Sequence, residues 1–280
     1  MRSEEVKEHW ENWANEFELD LRSTTKEMNI KKIELNLIEK FINDGEDVLD
    51  IGCGNGYDLI YLTSKKKINA KGIDISESMV KNAKNLIQAI SRDFPLPKSI
   101  QNVVPYIDKD ECKKIEWDVS DILNIQDDQL YDIVLTIRCI INLTDIEKQK
   151  EAIKKIASLV KKDGHFLMME NSIQNYDNQN KARIIVGLKP RKPPAYNLFI
   201  DEETILPEIE KFFDIEQTID HSSLHNIFQY VILPSVDEQS YYDTPIMNKV
   251  TDLAIELNNM GMPANFSNYG QGRLWVLKRK

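Results

Sequence analysis

The chain is short of cysteine, of basic charge and of long apolar runs, and each shortage excludes something. Three cysteines in 280 residues, Cys53, Cys112 and Cys139, are odd in number and scattered. They make no disulfide framework and show no metal-ligand spacing, which fits a reducing compartment. Acidic residues number 46 against 36 basic ones, a formal net charge of −10. A protein that gripped nucleic acid would need a basic face to neutralise phosphates, so small molecules are the expected partners and nucleic acid is disfavoured. No stretch approaches the roughly 18 apolar residues of a membrane span, and Met1-Arg-Ser-Glu-Glu-Val6 has no apolar leader core. The expectation is a cytoplasmic protein without a membrane partner, acting as monomer or homodimer. No internal repeat is present. A hydrophobic fraction of 41% is ordinary for a globular chain and allows a substantial core.

What is present is concentrated in one stretch, Val48-Leu-Asp-Ile-Gly-Cys-Gly-Asn-Gly56, followed by Gly72-Ile-Asp-Ile75. A short apolar run ends in three alternating glycines, and a second apolar run ends in a carboxylate. This is the layout of a nucleoside site in which one strand turns sharply under the ligand and the next presents an acid to the ribose. A dinucleotide fingerprint would read G-x-G-x-x-G. Here the spacing is Gly52-x-Gly54-x-Gly56, and Asp50 precedes it. An acid there repels a pyrophosphate and suits a ligand that carries an ammonium group. The glycine spacing, with the lack of a Tyr-x-x-x-Lys pair, argues against a nicotinamide-dependent oxidoreductase.

On Asp50, the glycine triplet and Asp74, the chain resembles the class I S-adenosylmethionine-dependent methyltransferases. The resemblance implies an α/β, Rossmann-like fold, with a seven-stranded, mostly parallel sheet and helices on both faces. It implies S-adenosylmethionine as cofactor, with S-adenosylhomocysteine as product. Asp50, Gly52, Cys53, Gly54 and Gly56 would form the first cofactor segment. Asp74 would accept from both ribose hydroxyls, with Ile75 against the adenine and Met79 beside it. Asp118 and Val119 would meet the adenine amine and ring, although Asp118 also suits a helix cap or turn. Thr136 would border the site from the fourth strand. Three later segments, His165–Ser172, Tyr196–Glu203 and Tyr242–Asn248, look like a bacterial branch associated with surface-glycan or other small-molecule modification.

Pattern along the chain supports this organisation. Val6, Trp10, Trp13 and Phe17 share a helical face, and a second helix carries Ile30, Ile33, Leu37, Ile38 and Phe41. In resembling enzymes such a helical segment folds over the cofactor; Trp10 and Trp13 equally suit plain packing. A helix is expected over 57–67, and another from a Ser76 cap to about Ile90. Residues 91–112 read as an insertion. Strands are expected over 70–74, 114–118, 131–137, 166–170, 213–219 and 272–278, with helices over 145–161 and 246–257. Alternation at this length means parallel βαβ units. Residues 1–44 are thus expected as a helical cover, 45–219 with 272–280 as the core, and 220–271 as an inserted cap over the substrate.

Ligands in such sheets bind beyond the carboxyl ends of the strands. Arg138, after the fourth strand, offers a forked cation for a carboxylate or phosphate, or a salt bridge to an acid such as Glu170. No Asn/Asp-Pro-Pro-Tyr/Phe signature follows that strand, which argues against amide-nitrogen methylation of DNA or protein. A hydroxyl acceptor needs a base, for which Glu170, His221, His225 and Asp243 are candidates. His221-x-x-x-His225 could pair as metal ligands, but no third ligand is apparent, and no metal is expected. The expected reaction is methyl transfer to an oxygen, in second place a nitrogen, of a small anionic metabolite such as a sugar or sugar nucleotide. The competing reading is a non-catalytic sensor or scaffold that binds the cofactor.

Overall fold

The computed structural model describes residues 3–101, 107–237, 241–242, 244–261 and 268–280. Seven strands make one sheet: β1 (Asp47–Ile51), β2 (Asn69–Asp74), β3 (Glu116–Val119), β4 (Tyr131–Ile137), β5 (Val160–Asn171), β6 (Phe213–Asp220) and β7 (Gly272–Arg279). Their order is β3-β2-β1-β4-β5-β7-β6. The first five run parallel, and β7 lies antiparallel between β5 and β6. After β1 the chain winds outward through β2 to β3, then returns to the other side of β1 with β4. The switch point between β1 and β4 opens a crevice at the strands' carboxyl ends.

Helices cover both faces. α1 (Ser3–Phe17) and α2 (Met28–Ile38) precede the sheet; α3 (Tyr57–Thr63) and α4 (Glu77–Ser91) alternate with its first strands. Two short helices, α5 (Lys98–Gln101) and α6 (Lys109–Cys112), sit in the stretch expected as an insertion, and α7 (Ile146–Ala157) joins β4 to β5. α8 (Ile173–Ile185) and α9 (Glu202–Ile209) lie between β5 and β6. Between β6 and β7 come α10 (Ser223–Ile227), a wider π turn at Phe228–Ile232, α11 (Leu233–Val236) and α12 (Pro245–Asn259). Separate apolar clusters fill the two sides of the sheet. A third, with Ile30, Ile33, Leu224, Met247, Val250 and Ala254, packs α12 and α10 onto α2. The segment between β6 and β7 therefore rests on α2, and an Asn29–Asn248 hydrogen bond of 2.9 Å ties the two.

Three expectations need correction. β5 begins at Val160, so the helix before it stops at Ala157 and Asp163-Gly164 lie within the strand. The helix after the glycines closes at Thr63 rather than continuing to 67. Residues 171–180 are polar with no helical pattern, and no element is expected there, yet α8 forms over them. Its buried face is polar: Asn175 donates to the Gly270 carbonyl at 2.7 Å and Gln179 to that of Tyr269 at 3.1 Å. Buried amides with partners leave no apolar periodicity to read.

Candidate functional site

At the end of β1 the chain turns under Ile73, whose carbonyl accepts from the N–H groups of Gly52 (2.8 Å) and Cys53 (3.0 Å). Gly54 and Gly56 hold positive φ angles of 53° and 79°. A Cβ at Gly54 would lie 2.5 Å from the Thr24 methyl carbon, and one at Gly56 2.4 Å from the Trp117 ring. The loop is thus clamped between the cover and β3, and only glycine fits. Asp74, ending β2, accepts from Gly54 N–H and Ser76 N–H, each at 2.9 Å. One carboxylate therefore shapes the glycine loop and starts α4, whose Ser76 cap accepts from Met79 N–H at 3.0 Å.

A cavity of about 400 Å³ opens over this loop and extends to the ends of β4 and β5, beneath α1 and beside the cap. Gly52, Cys53, Gly54, Asp74, Ile75 and Met79 all face it, as does Arg138. Asp50 and Gly56 lie beneath its wall: Asp50 is fully buried and one of its oxygens has no hydrogen-bond partner. Burial, with the charge of Asp58, pushes the Asp50 carboxyl well above the usual range. A buried, underpartnered acid under a glycine cradle fits a ligand that brings its own positive charge.

Other expected site residues fall elsewhere. Asp118 and Val119 are exposed, and Asp118 accepts from the N–H of Val119 at 2.8 Å. The chain turns into the cavity one step later, because Ser120 N–H binds the Asp74 carbonyl at 3.0 Å. Ser120, Asp121 and Ile122 form the wall instead. Thr136 is wholly buried inside the sheet. Glu170 is also sealed from the cavity, and its oxygens accept the N–H groups of Cys139 (3.1 Å), Ile140 (3.0 Å) and Ile141 (3.4 Å). It shapes the turn after β4. Burial raises its pKa to about 7 against those N–H bonds, which favour the charged form. His221 and His225 are both buried behind the wall, where desolvation lowers them to about 3 and about 4. His221 packs against Gly272, whose backbone does face the cavity. Asp243 lies outside the described residues. Among the described residues no cluster of ligating side chains could hold a metal. No helix among them is long and apolar enough to cross a membrane.

Arg138 has a positive φ of 54°, which turns its side chain toward α2, where it pairs with Glu34. Neither Glu34 nor its helix neighbour Lys31 stands out in the sequence, yet both line the cavity, as does Asp58 at the start of α3. Lys31 Nζ lies 2.8 Å from one Asp58 oxygen and 2.9 Å from the other. The one available signal was charged residues on a helix face buried by its neighbours. On the far side the wall is aromatic and basic. Trp10, Trp13 and Tyr196 meet there, His9 stacks on Tyr196 with centroids 4.2 Å apart, and Arg191 lies 3.5 Å above the Tyr230 ring.

The glycine loop at the switch point, an acid ending β2 and a cavity reaching β4 and β5 define a class I S-adenosylmethionine-dependent methyltransferase. Residues 42–230 match the family model described as Methyltransferase domain, and the chain belongs to that family. Carboxy-S-adenosyl-L-methionine synthase of Nautilia profundicola is 28% identical over 168 residues, 60% of this chain and 62% of that protein. Ajmaline N-methyltransferase of Rauvolfia serpentina is 31% identical over 113 residues, 40% of this chain and 32% of its own length. The chain thus matches less than two thirds of the length of these relatives. Among solved structures the [4+2]-cyclase SpnF has a TM-score of 0.53 at 15% identity, over 89% of this chain and 81% of its own. Magnesium protoporphyrin IX methyltransferase from Synechocystis PCC 6803, solved with bound S-adenosylhomocysteine, has a TM-score of 0.50 at 16% identity, covering 90% of this chain and 83% of that one. At such identity these two establish a shared fold.

Proposed function

We propose that the protein transfers the methyl group of S-adenosylmethionine to an oxygen of a small anionic metabolite. The observation that carries this reading is one continuous cavity with two chemically distinct halves. Over the glycine loop, Asp74, Ile75 and Met79 would hold the nucleoside, and Asp50 would offset positive charge from below. When bound there, the cofactor supplies an already activated methyl on a sulfonium. Residues 1–44 would close over it, and 220–271 would form the acceptor cap.

Chemistry then depends on alignment more than on proton transfer. Holding the nucleophile in line with the methyl is the protein's main task, and such positioning can be worth on the order of 10⁵ in effective molarity. Of the candidate bases for a neutral hydroxyl, Glu170, His221 and His225 are sealed behind the wall, and Asp243 lies outside the described residues. An acceptor oxygen that is already anionic, as in a carboxylate or phosphate, needs none. Lys7, Lys26 and Arg191 line the acceptor half beside Glu27 and suit such a group, while Arg138 is paired with Glu34. Trp10, Trp13 and Tyr196 would exclude water from it.

The sealed bases also suit a non-catalytic binder of the cofactor. Incubation with methyl-labelled S-adenosylmethionine and a panel of small carboxylates, phosphates, sugar nucleotides and amines separates these readings. Label in an anionic oxygen acceptor is the expected result, and label only in amines would move the reaction to nitrogen. Tight cofactor binding with no transfer to any acceptor would favour the binder.

A further inference from the structure

Two cations on the α2 side of the cavity are already neutralised: Lys31 pairs with Asp58, and Arg138 with Glu34. Arg191, on the loop between α8 and α9, also lines the cavity but is held differently. Its Nη1 donates to the side-chain oxygens of Gln179 at 2.9 Å and Gln271 at 3.4 Å. Its guanidinium lies 3.5 Å above the Tyr230 ring and 5.5 Å from that of Tyr176. Asn180 clamps its backbone, accepting from the Arg191 N–H at 2.8 Å and donating to its carbonyl at 3.0 Å. Each of these partners is neutral. Glu27, an acid on the same cavity, accepts from the Tyr230 hydroxyl instead. No acid among the described residues pairs with Arg191.

A guanidinium carries five N–H donors, and the two on Nη1 are taken. The Nε–Nη2 edge keeps the other three, and it is a fork that matches two oxygens of a carboxylate or phosphate. Structure alone does not call for the charge. The Asn180 pair already fastens this loop to α8, and a neutral donor would satisfy Gln179 and Gln271. A cation fixed in plane by stacking, on a cavity wall and without an acid, is arranged for an anion that arrives from outside. Fixing the fork beforehand also lowers the entropy cost of gripping that anion.

Resting on the reading of an anionic acceptor above, we infer that Arg191 selects that acceptor, gripping its carboxylate or phosphate through the Nε–Nη2 edge. The site is built on α8 and on the basic, proline-rich loop at 189–194, apart from the glycine loop. A neutral analogue of the acceptor leaves this guanidinium uncompensated and is rejected for that reason.

The test is calorimetric titration of inorganic phosphate and of acetate into the protein, with and without saturating S-adenosylhomocysteine. Wild type should bind at least one of the two anions, and the tighter one names the group. Arg191→Gln keeps a donor but has no charge. It should weaken that anion by about ten- to a hundredfold, the range of a charge-assisted hydrogen bond. Arg191→Lys keeps the charge without the fork and should recover only part of the loss. In both variants S-adenosylhomocysteine affinity should stay within about twofold. A wild type that binds neither anion overturns the inference. So does an Arg191→Gln protein with unchanged anion affinity, or one in which anion and S-adenosylhomocysteine weaken together, since that marks a structural role. Anion binding that needs Arg191, in a protein that takes up no S-adenosylhomocysteine, would leave this site standing and remove the cofactor reading instead.

Discussion

The two halves of the cavity are built in opposite ways. The half proposed for the nucleoside comes from short, nearly contiguous segments, 50–56 and 72–79, in which backbone groups and one acid organise one another. Asp74 alone braces the loop and begins the next helix. The half proposed for the acceptor draws on α1, α2, the turn after β4, the loop at 191–197 and the segments 222–226 and 271–272. A local half can be kept by a few residues, and a dispersed half can change its ligand without disturbing the first. That division suits a family whose members share a cofactor and differ in acceptor.

The largest expected effect tests whether Glu170 is architecture or chemistry. Glu170→Ala would strand two buried N–H groups and a half-buried one and should cost about 3 kcal/mol of stability, read by denaturant unfolding. Full stability with lost transfer would return it to the reacting centre. Next, Asp74→Ala should weaken S-adenosylmethionine by about a hundredfold, or about 2.7 kcal/mol, because it removes a ribose partner and the brace of Gly54 together. Unchanged calorimetric affinity would break the picture of the nucleoside half.

The pH dependence of unfolding probes the groups behind the acceptor wall. His221 and His225 are lowered in the fold, so the unfolded chain takes up protons first as pH falls below 6.5. Their stability is present above that value and lost on acidification, at about 1.4 kcal/mol per pH unit for each imidazole. Glu170 is raised from 4.5 to about 7 and acts oppositely, losing stability as pH rises through that window. Between 4.5 and 6.5 the two histidines contribute a climb of stability with pH, opposed by Glu170 and by the raised carboxyls of Asp50, Asp74 and Asp220. His221→Asn with His225→Asn should flatten the climb, and an unaltered slope would place those imidazoles in water. Smallest is the cover: Trp13→Ala should raise the acceptor KM severalfold, about 1 kcal/mol, with cofactor affinity within twofold. An equal loss of both would mean that α1 serves the nucleoside instead.

Much of the first half was legible because its chemistry is local. The period of the strands, the glycine spacing and the acid two residues before it are all sequence-adjacent, and β4 falls on the residues its apolar run marks. Less of the second half was legible. Glu170 ends a strand as a candidate base should, yet its oxygens face three amides that only the turn at 139–141 brings near. Asp118 ends the third strand, but the chain enters the cavity at Ser120, a shift that side-chain pattern does not record. Lys31 and Glu34 look like the solvated face of an amphipathic helix until α3 and the β4 turn close over them.

The sequence by itself determined the strands and the glycine loop, because backbone turns and alternation depend on neighbours in the chain. Tertiary structure decided which charges face the cavity and which are sealed behind it. That choice rests on burial and on partners more than a hundred residues away, as with Arg138 and Glu34 at a separation of 104.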